Sequence, residues 1–426
     1  MTSASIFIIF GVLLLISAPV AIAMFLAGII PISAFTTINP VSAVQRMFSS
    51  IDQFSLLAIP LFIISGGLMT KGGVSKRLVN LAEELLGWLP GGLAVVTFFA
   101  SAMFGAISGS ASATVVAIGG IMMPAMVNAG YSREFALTTA AAAGWLGVII
   151  PPSLPMIIYT VAVSGVSVSD VFIGGVIPGI MLAGGMSVYG IIYGAKHVRE
   201  RHKFSIKGVG KALVDSIWAL GMPLIILGGI YGGFFTPTEA AAVSVIYGLF
   251  VGVFVYKEIN IKDVIGTIRG SLSTCGMVYM LFLAAAVFSY IMTRQGIPDA
   301  IALFVTDYAT NKFIFWLLVT VILLVVGCIM DTGPAILILG PIFAEMLPTF
   351  GIDPAVFGVI MVVNLGIGLM TPPVGINLYV ACGLEGDKFD TILNKHLIFY
   401  VLLAIAVLCV LMAFPGLISF LPSLMK

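Results

Sequence analysis

Apolar residues in this chain neither alternate nor recur on one helical face; they run. Ala4–Ile30, Val171–Ala195, Ala212–Tyr231, Ala240–Tyr256 and Leu397–Leu421 contain a single charged residue between them, Asp215. Runs of this kind approach or exceed the roughly 20 apolar residues with which a helix crosses hydrocarbon. Membrane β-strands would instead be short alternating segments, so the pattern predicts an all-α integral membrane protein. Two more apolar stretches, Leu93–Asn128 and Phe313–Thr349, are interrupted centrally by turn-forming polar residues, "SGSAS" at Ser108–Ser112 and "MDTGP" at Met330–Pro334. Non-helical backbone at membrane depth is tolerated only where protein or a water-filled cavity covers it. The two stretches are therefore read as re-entrant hairpins that enter and leave on one side.

Two other segments break themselves with adjacent prolines: "GVIIPPS" at Gly147–Ser153 and "LGIGLMTPPVGIN" at Leu365–Asn377. A Pro-Pro pair removes two backbone donors and forces the preceding residue out of the helical region. The helix from about Asp353 should therefore stop near Met370, with a second half-helix after Val374. The two breaks belong to an internal repeat. A shift of 221 places Gly147–Ser153 on Gly368–Val374, Gly119 on Gly340, Ile121 on Ile342, Gly130 on Gly351 and Ser132 on Asp353. Upstream, "LMTKGGV" from Leu68 matches "IMTRQGI" from Ile291 at a shift of 223, and both precede amphipathic stretches.

Composition adds orientation. Of 426 residues 60% are hydrophobic and 9% charged, with net charge +1, against roughly 25% charged in soluble domains. If the basic loop Lys196–Lys211 is cytoplasmic, the loops at Lys71–Arg77, Arg133, Lys257–Arg269 and Lys388–Lys395 fall on the same side. That side then holds 15 of the 19 basic residues, leaving Arg46, Arg294, Lys312 and Lys426 opposite, as the positive-inside rule requires. Five crossings separate Lys71 from Arg294, an odd number, so the repeats are expected to be inverted. The first run is expected to be retained rather than cleaved, since no basic residue precedes it. No basic aromatic stretch points to nucleic acid. The cysteines, Cys275, Cys328, Cys382 and Cys409, lack metal-ligand spacing and are read as packing residues.

Discontinuous helices at matching positions of two repeats mark transporter binding sites: broken ends leave carbonyls for a cation and amides for an anion. Gly147, Ile150 and Pro152 offer carbonyls in the first half, facing the hydroxyls of Ser108 and Ser110. Gly368, Thr371 and Val374 offer them in the second, facing Gly327, Asp331 and Thr332. Asp331 admits three roles: a charge beside sodium, a proton carrier, or a cap on the hairpin's second arm. Ser110, Ser153, Asp331, Thr332 and Asn377 are candidates to contact substrate or to support the ion ligands. Glu239, in "TPTEAAA", is read as a helix initiator capped by Thr236 or Thr238, and Glu345 as a solvated residue near the hairpin exit.

"GGIYGGFFTPTEAAAVSVIYG" (Gly228–Gly248), with the polar-tipped hairpins and both Pro-Pro breaks, resembles the large membrane subunit of tripartite ATP-independent periplasmic (TRAP) transporters over essentially the whole chain. The resemblance implies an inverted-repeat elevator transporter driven by sodium, two or more ions per cycle, in the bacterial inner membrane. It implies an organic acid delivered by a periplasmic substrate-binding protein, with sialic acid the single best guess, and a separate small four-helix membrane subunit. It places one sodium site at Ser108, Gly147, Ile150 and Pro152 and another at Gly327, Gly368, Thr371 and Val374. The expected division is scaffold for residues 1–90, transport domain for 91–168, scaffold for 169–311, transport domain for 312–385 and a C-terminal scaffold helix for 386–426.

The nearest rival is a stand-alone citrate- or dicarboxylate-type sodium symporter of the same architecture. A passive channel has no need of two inverted broken-helix sites. An intramembrane serine protease needs a base within hydrogen-bond reach of its nucleophile, and the histidines, His197, His202 and His396, are all expected in loops. No phosphate-binding Gly-Lys-Ser/Thr loop is present, so ATP is not expected to drive the cycle and the chain is read as no enzyme.

Overall fold

The computed structural model describes residues 2–198, 203–298, 300–301, 303 and 311–425; part of the basic loop, including His202, and Lys426 lie outside them. Every regular element among the described residues is helical. Among the described residues eight helical segments are long and apolar enough to cross a bilayer, and the bent pair Arg133–Ile149 with Leu154–Ala162, kinked by 43°, makes a ninth.

The first half contains α1 (Thr2–Leu15), α2 (Val20–Phe35), α3 (Pro40–Ile51), α4 (Ala58–Lys71), α5 (Val74–Leu86), α6 (Gly92–Ser108), α7 (Ala111–Thr114), α8 (Gly120–Asn128), α9 (Arg133–Gly144), α10 (Leu146–Ile149), α11 (Leu154–Ala162) and α12 (Val168–His197). The second contains α13 (Ile206–Tyr231), α14 (Pro237–Phe250), α15 (Ile261–Arg294), α16 (Lys312–Ile329), α17 (Thr332–Ala344), α18 (Pro354–Gly368), α19 (Ile376–Gly383), α20 (Phe389–Ile392), α21 (Lys395–Ala413) and α22 (Gly416–Leu424).

Helix starts follow their caps. Asn, Ser, Thr and Asp side chains accept hydrogen bonds from the orphan amides of a first turn. Thr236 and Glu239 form a reciprocal capping box at α14, which is the helix-initiating role expected of Glu239. The 221-residue register reappears in these boundaries. Ser110 caps α7 and Asp331 caps α17; Ser132 caps α9 and Asp353 caps α18. Gly130 and Gly351 both hold the left-handed backbone, at φ 92° and 59°, that a side chain would resist. Both Pro-Pro peptide bonds are cis.

The helices pack chiefly in two sets, which meet where α5 and α4 lie on α6. α1–α5 pack with α13–α15, chiefly α2, α3 and α4 on α15, α4 on α14 and α5 on α13. The remaining helices form the other group: α6 packs on α12, α16 on α18, α11 on α17 and α9 on α19. The expected boundaries at 168/169 and 385/386 find no packing break. α12 lies against α6, α10 and α18, and α21 against α18, α12 and α9, so both sit with the hairpins and broken helices.

Three expectations are corrected. The run Ala4–Ile30 is two helices, because Pro19 ends α1's continuation and starts α2, with Ser17 turned at φ 61°. Leu397–Leu421 is likewise divided at Pro415 into α21 and α22, so residues 386–426 are not one helix. His396 and His197 are not in loops. His396 opens α21, 2% exposed, its Nδ1 2.7 Å from the Tyr189 hydroxyl, with Phe135 and Tyr193 edge-on to its ring; His197 ends α12, stacked on Tyr193. Cys275, Cys328 and Cys382 are buried, as packing residues should be, whereas Cys409 faces outward.

Candidate functional site

Each polar-tipped segment turns at its expected residues. α6 stops at Ser108, Gly109 takes φ 62°, and Ser110 caps α7; α16 stops at Ile329 and Asp331 caps α17. The broken helices stop where their prolines dictate: α10 ends at Ile149 and α11 begins at Leu154, while α18 ends at Gly368 and α19 begins at Ile376.

Glycines set how closely hairpins and breaks meet. In the first half a Cβ on Gly105 would lie 2.9 Å from the Gly147 Cα and 3.0 Å from the Leu146 carbonyl oxygen, and one on Gly109 2.7 Å from that of Pro152. The Leu154 amide donates to the Gly109 carbonyl at 3.2 Å. In the second half a Cβ on Gly327 would lie 2.9 Å from the Leu365 carbonyl oxygen and 3.3 Å from the Gly368 Cα. The Val374 and Gly375 amides donate to the Cys328 carbonyl at 3.3 and 3.4 Å. Backbone meets backbone with no room for a side chain, so each hairpin tip is latched to the break beside it.

Around the first break, the Ser108 hydroxyl lies 3.2 Å from that of Thr114, which donates to the Ser110 carbonyl at 2.8 Å. Gly147 packs against both Thr114 and the Ser110 carbonyl. Ile150 ends its half-helix in extended backbone and packs on Gly179 of α12. Around the second, the Thr371 hydroxyl donates to the Ile367 carbonyl at 2.7 Å. Ser108, Gly147, Ile150 and Pro152 thus gather at one break, and Gly327, Gly368, Thr371 and Val374 at the other. Thr114 and the Cys328 carbonyl belong to these clusters without having been singled out. The four-residue spacing from Ser110 to Thr114 was a usable signal for the first; a carbonyl leaves none.

The two broken helices pack on each other ahead of their breaks. Trp145, fully buried, lies with its indole against Gly366, the residue 221 positions on. The helical segments that lead into the two breaks are therefore in direct contact.

Both hairpin tips open onto one cavity of about 350 Å³. Ser110, Asp331, Thr332 and Asn377 line it, with the starts of α11 (Leu154, Pro155) and α19 (Ile376). Asp331 is exposed to that space, and its Oδ1 accepts from the Thr332 amide at 2.7 Å, the capping role among the three it admitted. Ser153 is not among the lining residues. It is fully buried, caps α11 and donates to the Val148 carbonyl at 2.5 Å, so the break itself uses both its bonds. The opposite wall was not foreseen: Ile63 of α4 and Thr274, Met277, Val278 and Leu281 of α15. No local signal marks them, because they lie within uninterrupted helices.

Arg133, the first residue of α9, pairs with Asp387 at 2.6 Å and Glu385 at 3.1 Å. It ties the start of the first broken helix to the segment following the second.

A solved structure of similar fold is the Alcanivorax borkumensis YdaH transporter, with a TM-score of 0.64 at 16% identity over 87% of each chain. Among sequence relatives, the isethionate TRAP transporter permease protein DctMQ of Oleidesulfovibrio alaskensis is 41% identical over 416 residues, 96% of this chain and 65% of that one. The C4-dicarboxylate TRAP transporter large permease protein DctM of Rhodobacter capsulatus is 37% identical over 394 residues, 88% of this chain and 90% of that one. The family described as the DctM component of the tripartite ATP-independent periplasmic transporter matches residues 7–417. The chain therefore belongs to that family, as a multi-pass transport protein of the bacterial inner membrane and not an enzyme.

Proposed function

We propose that this chain carries out sodium-coupled secondary uptake of an organic acid by elevator-type alternating access. The observation that carries the reading is the shared cavity: two hairpin tips and two half-helix starts form one wall, and α4 and α15, from the other packing group, form the opposite wall. A substrate held there is released to the other side when one group slides along the other. Sodium binds at the two breaks, one ion with Ser108, Gly147, Ile150 and Pro152, the other with Gly327, Gly368, Thr371 and Val374. Broken ends supply carbonyls at the negative pole of a half-helix dipole. The matching element starts support an inverted repeat whose hairpins are re-entrant. On packing grounds the moving unit comprises residues 91–198 and 312–425, wider than the expected 91–168 and 312–385, and α1–α5 with α13–α15 form the scaffold.

A periplasmic binding protein delivers the substrate, and a small four-helix membrane subunit completes the permease. The relative named DctMQ, whose remaining length this chain does not span, supports a second membrane subunit. Sialic acid remains the candidate that the family resemblance suggested. The relatives named for isethionate and C4-dicarboxylate, at 41% and 37% identity, set the comparison.

The test is uptake into proteoliposomes containing this chain and its small subunit, with the loaded binding protein outside. Uptake should require an inward sodium gradient and no ATP. Sialic acid, isethionate and succinate are compared in the same assay. Uptake without a sodium gradient would overturn the coupling, and uptake by this chain alone would favour the stand-alone symporter.

A further inference from the structure

The substrate cavity is short of positive charge. Among the described residues no Lys, Arg or His lines it, and its one charged side chain is the carboxylate of Asp331. Backbone does little to make up the deficit, because amides at the half-helix starts are already engaged. At α11 the Leu154 amide donates to the Gly109 carbonyl, Pro155 has none to give, and the Met156 amide donates to the Ser153 hydroxyl. At α19 the amides of Gly375, Asn377 and Leu378 donate to the carbonyls of Cys328, Leu369 and Gly375.

Two acceptors in the same lining are left wanting a donor. The Thr332 amide and hydroxyl reach Asp331 at 2.7 and 3.3 Å, both at Oδ1, and no bond among the described residues reaches Oδ2. A carboxylate at membrane depth is costly unless something offsets it. Asn377 points the same way independently. Its side chain is fully buried, its Oδ1 has no hydrogen-bond partner, and only a 3.4 Å bond from Nδ2 to the Ala141 carbonyl holds it. A buried acceptor in that state calls for a donor.

Taking the uptake reading as its basis, we propose that the substrate carries an amino group as well as its acid group, and that Asp331 holds the ammonium, with Asn377 Oδ1 as a further acceptor. An ammonium brings three donors and one positive charge. The wall of Ile63, Met277, Val278 and Leu281 keeps the surroundings apolar, which strengthens the pairing. Charge balance favours this class. A plain monocarboxylate would bring the cavity to two negative charges and a dicarboxylate to three, whereas a zwitterionic amino acid leaves it at one. The acid group is left to the hydroxyls of Ser110, Ser112 and Thr274, which also line the cavity.

The experiment uses this chain with its small subunit in nanodiscs, without the binding protein, so that the permease's own preference is read. Thermal stabilisation in sodium is titrated with two pairs of acids that differ only in the amine: valine against isovalerate, and β-alanine against propionate. In one pair or both, the amine-bearing acid should bind at least tenfold more tightly than its partner, the low end of what a hydrogen bond to a charged group is worth. Asp331→Asn keeps a capping side chain but removes the charge, and should erase that advantage; cooperative unfolding in sodium shows that the variant folds. Equal binding within both pairs, or stabilisation by sodium with none from either amino acid, would overturn the proposal. So would sodium stabilisation that Asp331→Asn abolishes without any amine preference in the unmodified permease, which would give the carboxylate to sodium. Absence of any sodium effect, with the amine preference intact, would instead count against the coupling in the uptake reading alone.

Discussion

Thr371→Val tests the second sodium site at a single oxygen. Thr371 follows the end of α18, and its hydroxyl hydrogen is engaged by the Ile367 carbonyl at 2.7 Å. The oxygen retains lone pairs that a cation can use. Valine keeps the volume and removes that acceptor. An interaction of this type with a charged group is worth about 1.5–3 kcal/mol. At about 1.4 kcal/mol per tenfold, the sodium concentration for half-maximal uptake should rise roughly tenfold to a hundredfold. The neutral bond to Ile367 is lost as well, but it exists with or without the ion. Its net worth of about 0.5–1.5 kcal/mol should therefore lower folding stability without changing ion affinity. Thr371→Ser keeps the hydroxyl and should hold sodium affinity within about threefold, or less than 1 kcal/mol. The assay is initial uptake into proteoliposomes against external sodium, beside thermal unfolding with and without the ion. If Thr371→Val destabilises the protein yet leaves the sodium dependence of both measurements unchanged, the hydroxyl only caps the helix end and has no part in binding.

Gly327→Ala should cost about 1–3 kcal/mol through overpacking, since its Cβ would meet backbone at 2.9–3.3 Å, whereas Gly340→Ala, with nothing nearer than 3.6 Å, should be neutral; thermal unfolding compares them. Gly366→Ala should abolish stable expression because its Cβ would overlap the Trp145 indole, and Trp145→Leu should partly restore it; the double variant's yield and melting temperature decide, and additive losses would refute the contact. Arg133→Ala should slow uptake, and Arg133→Asp with Asp387→Arg should recover more activity than either single change if the ion pair is what matters. Cysteines at Lys203 and Lys312, both exposed, should label only from the cytoplasm and only from the periplasm respectively; labelling of both from one side would contradict the inverted topology.

Much of the architecture could be read from local chemistry. The Pro-Pro pairs at Pro151 and Pro372 stop their helices at Ile149 and Gly368 because a proline has no amide to give. The hairpin turns fall at Ser108–Ser110 and Met330–Asp331 because Gly, Ser and Asp favour caps and turns over helix interiors. The same rule, applied to Pro19 and Pro415, would have divided the runs Ala4–Ile30 and Leu397–Leu421; their unbroken hydrophobicity masked it. Hydrophobicity reports that a segment is in lipid or protein, not whether it is continuous.

What the sequence by itself determined is therefore the set of helices, their breaks, their 221-residue register and the small polar groups at each break. Which helix faces meet was decided only by tertiary structure. α12 and α21 join the hairpins and not α13–α15, although every one of these helices is apolar enough to cross a bilayer. Ile63, Met277, Val278 and Leu281 become a cavity wall although nothing in their immediate neighbourhoods distinguishes them from packing residues. Ser153 turns inward while Asp331 opens to the cavity. The physical reason is that caps, prolines and hydrophobic length act within a few residues. A binding site joins groups tens to hundreds of residues apart, and in a chain where nearly every face is apolar, close backbone approach at glycines such as Gly105, Gly327 and Gly366 selects the partners.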